Sequence, residues 1–434
     1  MSEDAEDATA GRAVPSGPRA SSGQTVGRRV MRVLPMVPRD TEEDHRPATP
    51  LELLFDLCFV VAVSQAGSQL YDALVHEHYR TGIVDYLMVF FAIWWAWVNF
   101  TWFASAYDVD DLPYRLLIFV QIFGVLILGA GVANAFDHEN FAVITAGYVV
   151  MRVAMVAQWL RAAAGDPEGR PTALRYAVGI SVVQLGWVLR LFLPADMGFV
   201  TFAIMALAEV SVPAWAERAG RGGHGTPWHA GHINERYGLF TLIVLGECIA
   251  GATVAIHEAS SVHESSSSAL FAVALGAVFL ICSMWWWYFE HPSEEGLRSS
   301  RQSAFAWGYA HYFVFSSVAA LGVGLELAAA STHGGHGTVP QSEAGLAVAI
   351  PVAVYLIVTA LIQSRLDGFK GGRLSMVAVA AAAVLGLGLA AAGRRFDIGV
   401  ATVSMGVVVA ALVVLDETLH PSTGQSQVSS ADAL

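Results

Sequence analysis

Gly238-Leu-Phe-Thr-Leu-Ile-Val-Leu-Gly-Glu-Cys-Ile-Ala-Gly251 decides the fold. The run is apolar enough to cross a bilayer, yet it carries one carboxylic acid, Glu247. With a helix start near Glu235, that carboxyl lies roughly 18 Å along the axis at ~1.5 Å per residue. This depth is close to the middle of a hydrocarbon core of about 30 Å. An ionisable group there is costly, and such groups face a bundle interior or a water-filled cavity. The stretch reads as a transmembrane helix with a polar task at mid-depth.

Working outward, the same apolar character recurs along the chain. Of 434 residues, 55% are hydrophobic and only 14% charged, with a mean hydropathy of +0.52. A soluble chain would carry nearer a quarter charged residues. The runs are continuous and lack the period-two alternation of a β-barrel. The expected fold is an all-α integral membrane protein with about 12 transmembrane helices. The spans fall approximately at 51–70, 84–104, 114–135, 141–163, 172–193, 197–217, 236–256, 268–289, 303–329, 343–363, 374–392 and 397–415.

The expected organisation is two parallel six-helix repeats: repeat 1 over 49–218 and repeat 2 over 235–417, joined by a cytoplasmic linker, 219–234. Residues 1–48, rich in Gly, Ala, Ser, Pro and charge, are expected to form a disordered cytoplasmic tail, and 418–434 a second one. Asp56 and Glu247 are 191 positions apart, and Trp94-Trp95-Ala-Trp97 falls opposite Trp285-Trp286-Trp287. Six spans per half give both halves the same orientation. Placing the N-terminus in the cytoplasm gathers Arg115, Arg161, Arg170, Arg175, Arg218, Arg221, Arg236, Arg298, Arg301, Arg365, Lys370 and Arg373 on inner loops. Arg80, Arg394 and Arg395 then lie outside. The basic excess marks the cytoplasmic side, so both termini are expected inside a bacterial inner (plasma) membrane.

The net charge of −13 is scattered, with no dense block of either sign, which gives no support to a nucleic-acid partner. Cys58, Cys248 and Cys282 lie inside spans and have neither disulfide-framework nor zinc spacing. His224, His229, His232, His257, His263, His333 and His336 sit in or beside Gly-rich loops without fixed ligand spacing. No Walker loop, dinucleotide fingerprint or Gly-X-Ser-X-Gly elbow is present, so no cofactor is implied.

The chemistry-bearing candidates are therefore buried acids. Glu52 and Asp56 are spaced i, i+4, which stacks both carboxylates on one face of the first helix. Glu209 lies on the sixth span just before Pro213. With Glu247 these form the candidate proton- or cation-handling set, because paired acids in low dielectric push one pKa upward. Accessory polar candidates are His232, Glu235 and Arg236 at the entrance of the seventh span, His311 on the ninth and Arg152 on the fourth. Asn234 is expected to cap the seventh helix. Arg236 is expected to pair with an acid such as Glu217 or Asp111, and Arg152 to counter one buried acid. Asp108, Asp110 and Asp111 read as a solvated acidic turn. The tryptophan clusters read as an interface belt, with an aromatic vestibule for a hydrophobic or cationic solute as the alternative.

Four passages carry a family resemblance. They are Thr49-Pro-Leu-Glu-Leu-Leu-Phe-Asp-Leu-Cys-Phe-Val-Val-Ala-Val63; Trp94-Trp-Ala-Trp-Val-Asn-Phe100 with Tyr107-Asp-Val-Asp-Asp-Leu-Pro-Tyr-Arg115; the stretch His232-Ile-Asn-Glu-Arg-Tyr-Gly238 running on to Ile249; and Trp286-Trp-Tyr-Phe289 with Tyr309-Ala-His311. In this order they resemble the bacterial low temperature requirement A family of multi-pass membrane proteins. That name describes a growth phenotype, so the resemblance implies a membrane fold and no particular substrate. A weaker architectural likeness runs to two-repeat cation channels whose repeats open with Phe-Ser-Asp. Here the place reads Leu54-Phe55-Asp56, without the serine.

Three functions follow as expectations. The first is a secondary transporter or ion-permeation protein whose partners are the lipid bilayer and a small solute or cation. The second is an integral-membrane enzyme acting on a lipid or lipid-linked substrate, using Glu247 and the His232-Glu235-Arg236 entrance. The third is a structural role in cold adaptation. Acids at mid-depth favour the first, because catalytic groups of a lipid enzyme belong near headgroup level.

Overall fold

A computed structural model describes residues 33–41, 43, 46–194, 197–220, 225–261, 267–290, 293–332, 339–366, 372–391 and 397–419. Arg221, His224, His263, His333, His336, Lys370, Arg394 and Arg395 lie outside the described residues. The described secondary structure is helical, without a strand among the described residues. In chain order the α-helices are α1 Pro50–Val75, α2 Tyr79–Ala106, α3 Leu112–Ala130, α4 Val132–His138, α5 Ala142–Gly165, α6 Arg170–Arg190 and α7 Gly198–Glu217. They continue as α8 Ala230–Ser261, α9 Ser267–Phe289, α10 Glu294–Ser299, α11 Arg301–Ala330, α12 Gln341–Arg365, α13 Gly372–Ala391 and α14 Ile398–Leu419.

Among the described residues, 11 helical stretches are long and apolar enough to cross a membrane. They occupy every expected span position except 374–392. That position holds α13, whose apolar part Ser375–Ala391 is shorter than the rest. The outward faces fit a lipid environment: Val182, Leu185 and Leu189 on α6 and Phe199, Ile204 and Leu207 on α7 are all more than half exposed. Contiguous apolar surface of this kind needs a non-aqueous cover.

Local chemistry sets the helix starts. Thr49-Pro50-Leu51-Glu52 is a capping box: the Thr49 hydroxyl accepts from the Glu52 N–H, and the Glu52 carboxylate accepts from the Thr49 N–H at 2.8 Å. Asp111 caps α3 by accepting the Tyr114 N–H at 2.9 Å. The start of α8 differs from expectation. It begins at Ala230, where His229 Nδ1 accepts the His232 N–H at 3.1 Å. Asn234 is therefore inside the helix and does not cap it, and part of the expected 219–234 linker is helical.

Neighbouring spans pack in sequence along each half, and in the C-terminal half α9 also packs extensively on α14. In the N-terminal half α1 touches α2 and α3, α3 packs on α5, α5 on α6 and α6 on α7. In the C-terminal half α8 touches α9 and α11, α11 packs on α12, α12 on α13, and α13 on α14. The halves meet where α1 and α2 contact α8 and α11. An aromatic core fills that junction, with the Trp97 ring 4.4 Å from Phe240 and 4.9 Å from Tyr237, and Phe240 4.9 Å from Phe315. Gly251 permits the closest α8–α11 approach, since a Cβ there would meet the Gly322 carbonyl oxygen at 2.7 Å. Gly246, the other glycine flanking Glu247, has open space around it.

Residues 33–48, expected as part of a disordered tail, are packed over their described positions. The Arg39 N–H donates to the Ala106 carbonyl at 3.0 Å, and the buried Arg46 guanidinium donates to the carbonyls of Ala104, at 2.7 Å, and Ser105. Met36 is buried against the backbone of Gly165. The last carbonyls of a helix have no intrahelical partner, and this segment supplies donors to the end of α2. The end of the bundle where it lies is called the N-terminal end below.

Candidate functional site

The i, i+4 spacing of Glu52 and Asp56 does place both carboxylates on one side of α1, and α8 answers them with Arg236. Its Nε donates to Asp56 Oδ2 at 3.1 Å and its Nη2 to Asp56 Oδ1 at 2.5 Å, a forked pair. Its Nη1 lies 2.9 Å from Glu52 Oε1, close enough for charge attraction though not aligned as a hydrogen bond. One turn earlier on α8, His232 Nε2 stands 3.2 Å from the same Glu52 oxygen. From α2 the Trp97 indole donates to Asp56 Oδ1 at 2.7 Å. Asp56 and Arg236 are both 0% exposed. Two carboxylates face one guanidinium here. Glu52 gains further support from the Thr49 N–H and the positive end of the α1 dipole.

A second cluster sits within the N-terminal half. Glu209 of α7 pairs with Arg152 of α5 at 3.1 Å and accepts indole N–H groups from Trp95 at 2.8 Å and Trp187 at 3.1 Å. The Arg152 guanidinium also donates to the Tyr148 hydroxyl and lies over that ring, 4.5 Å from its centroid. Both ions are buried. Arg152 is thus the counter-charge of a buried acid, and the acid is Glu209.

Glu247 differs from the other three acids. It is half-buried near the midpoint of the 32-residue α8 and faces Ser64 of α1, with no cationic partner among the described residues. His311, fully enclosed, is satisfied on both nitrogens: Nδ1 donates to the Trp307 carbonyl at 2.8 Å and Nε2 accepts the Tyr288 hydroxyl at 2.9 Å. The carbonyl partner requires a proton on Nδ1. Glu235 accepts the Ala48 N–H at 3.2 Å, tying the N-terminal segment to α8.

The pieces that converge come from the first three passages singled out in the sequence: Glu52 and Asp56 from the first, Trp97 from the second, and His232 and Arg236 from the third; Glu247 of the third passage and the Tyr288–His311 bond of the fourth are not among the contacts of this cluster. Compared with known proteins, residues 47–414 match the family model described as bacterial low temperature requirement A protein. The chain belongs to this family. A curated relative, an uncharacterised protein of Rhizobium meliloti (strain 1021), is 26% identical over 264 residues, 59% of this chain and 61% of that protein. The chain thus spans about three fifths of that relative's length.

In this low temperature requirement A chain, several partners differ from the sequence expectation. Arg236 takes Asp56 and Glu52, while Asp111 pairs with Arg161 at 2.6 Å and Glu217 with Arg301 at 3.1 Å. Trp94, Trp95 and Trp97 are buried, so they do not form an interface belt, whereas Trp285 and Trp286 stay about half exposed. A buried indole N–H seeks an acceptor, and that rule would have linked Trp95 and Trp97 to the buried acids. The same rule covers Trp187, whereas Tyr148 had no such signal. In the 107–111 turn, Asp110 is held by Arg115 at 2.7 Å, and Asp108 lies 3.9 Å from Arg46. Burial, reinforced by the Glu52 charge and partly offset by Arg46, raises the Asp108 pKa to about 6.

Proposed function

We propose that this protein handles protons or small cations across the bilayer, as a secondary transporter or permeation protein, along the seam between α1 and α8. The observation that carries the reading is Glu247, an acid near mid-helix that lacks the cation given to Glu52, Asp56 and Glu209. An arginine-paired carboxylate is already matched by a fixed counter-ion, whereas one that faces a serine hydroxyl leaves room for a mobile cation or proton. Arg236 lies 11 residues before Glu247 on α8, roughly 16 Å at ~1.5 Å per residue. The Arg236–Asp56–Glu52 cluster then acts as a lock between the two halves on the path that Glu247 serves.

Two parallel repeats accompany this proposal. The neighbour pairings that recur in both halves support them, as does a glycine at each equivalent crossing, Gly129 on Ala62 and Gly322 on Glu247, while the extensive packing of α9 on α14 is a feature of the C-terminal half. A plasma-membrane location with both termini inside rests on the basic residues at the N-terminal end. The lipid-enzyme reading is less favoured because His232 and Arg236 are enclosed, leaving a lipid headgroup no approach to them.

The test is proton and monovalent-cation flux in proteoliposomes, comparing the unmodified chain with Glu247→Gln. Flux above empty vesicles that the substitution abolishes supports the role. Full flux in Glu247→Gln sinks it.

A further inference from the structure

On the other end of the bundle, α1, α2, α11 and α12 enclose a groove of about 580 Å³. It lies where the two halves meet, and nothing in the clusters above uses it. Leu70 and Leu74 of α1, Ile83 and Leu87 of α2, and Ile350 and Val354 of α12 form much of its wall. The polar atoms of its floor are already spent within the protein. The Tyr86 hydroxyl donates to the Ser316 carbonyl at 2.7 Å, and the Ser317 hydroxyl to the Val314 carbonyl at 2.8 Å. Water has few partners in such a space, and an apolar cavity of this kind does not hold it. One end is different: there the Tyr79 hydroxyl donates to one carboxylate oxygen of Glu343.

Dimensions select the occupant. Along α12 the groove runs from Glu343 to Val354, 11 residues, or roughly 16 Å at ~1.5 Å per residue. That is about half of a hydrocarbon core of ~30 Å, one leaflet's depth. The polar pair lies at the bundle end, where headgroups sit, and the apolar end reaches mid-depth. A second protein helix would need no acid at the rim, and a small hydrophobic solute would not need a leaflet-length slot.

We propose that the groove is a binding site for one phospholipid, with one of its two acyl chains between the halves and a cationic amine headgroup on Glu343. The Glu343 oxygen not bonded to Tyr79 accepts the ammonium in a charge-assisted hydrogen bond. An acyl chain wedged between α1–α2 and α11–α12 touches both halves, so lipid occupancy couples to their relative position.

The experiment reconstitutes the full chain in vesicles of equal phosphatidylethanolamine and phosphatidylglycerol, then measures retained lipid by native mass spectrometry after detergent extraction. One phosphatidylethanolamine adduct per chain is expected. Ile350→Trp places an indole in the groove from its half-exposed wall and should lower that adduct about tenfold. Val384→Trp, on the exposed face of α13, should leave it unchanged. Glu343→Gln, which fills no space, should keep an adduct but cut the preference for the amine headgroup by about tenfold. Equal adducts in Ile350→Trp and Val384→Trp would mean lipid held only around the perimeter and would overturn the site. A retained fatty acid without a headgroup, or no headgroup preference in the unmodified chain, would overturn it as well.

Discussion

Replacing Arg236 by Met removes the one guanidinium that faces both Glu52 and Asp56. The side chain is 0% exposed and makes forked bonds of 2.5 and 3.1 Å to Asp56 and a 2.9 Å contact to Glu52. Losing one partner of a buried pair typically costs about 3–5 kcal/mol, because the remaining charge has neither water nor a counter-ion. Two carboxylates lose their partner here, but Asp56 keeps the Trp97 N–H and Glu52 keeps the Thr49 N–H. These bonds hold the loss within about 3–5 kcal/mol, a shift in the folding equilibrium of a few hundredfold or more at ~1.4 kcal/mol per tenfold. The assay is reversible denaturation of the purified protein in detergent, with helix content and tryptophan emission followed together. The triple variant Glu52→Gln/Asp56→Asn/Arg236→Met removes all three formal charges and should recover most of the loss, since neutral isosteres leave no uncompensated ion. A loss below about 1 kcal/mol for Arg236→Met, the range of an exposed pair, would refute the buried-cluster argument. So would a triple variant no more stable than the single one.

Arg152→Met should likewise destabilise by about 3–5 kcal/mol, with Glu209→Gln in the same chain restoring most of it in the same denaturation assay. Glu247→Gln should change stability by less than about 0.5 kcal/mol, because no ion pair is lost, while proteoliposome flux disappears. Asp108 has a folded pKa raised to about 6 from 3.8. Its favourable contribution is therefore fully present below pH ~4 and lost as pH rises through about 6. Asp108→Asn should flatten that part of the stability–pH curve and raise stability at pH 7.5, as read by thermal melts between pH 4 and 8. Arg46→Ala leaves the carbonyls of Ala104 and Ser105 without their donor and should release residues 33–48, measured as faster proteolytic cleavage in that segment.

Much of this molecule was legible from local chemistry. Continuous apolar runs fix membrane-spanning helices because a bilayer leaves backbone groups no external partner, and 11 of the expected positions hold such helices. The i, i+4 spacing of Glu52 and Asp56 fixed their shared face, and Thr49-Pro50-Leu51-Glu52 wrote the start of α1. The start of α8 escaped that logic, since a histidine, His229, caps it three residues ahead of His232. The packing of residues 33–48 escaped composition, because its partners are carbonyl groups at the end of α2, far along the chain.

The sequence alone determined that Asp56, Glu209, Glu247 and Arg236 sit within or at the edge of membrane spans, where an unpaired charge is costly. It did not determine the pairing, because several acids met the same requirement for Arg236 and Arg152. Only the tertiary structure decided that α8 lies against α1, giving Arg236 to Asp56 and Glu52, and that α7 lies by α5, giving Arg152 to Glu209. The physical reason is that charge attraction inside a bundle is set by distance, and distance between spans depends on how helices pack. Among the described residues, that packing supplied a cation to Glu52, Asp56 and Glu209 and gave Glu247 the Ser64 hydroxyl instead.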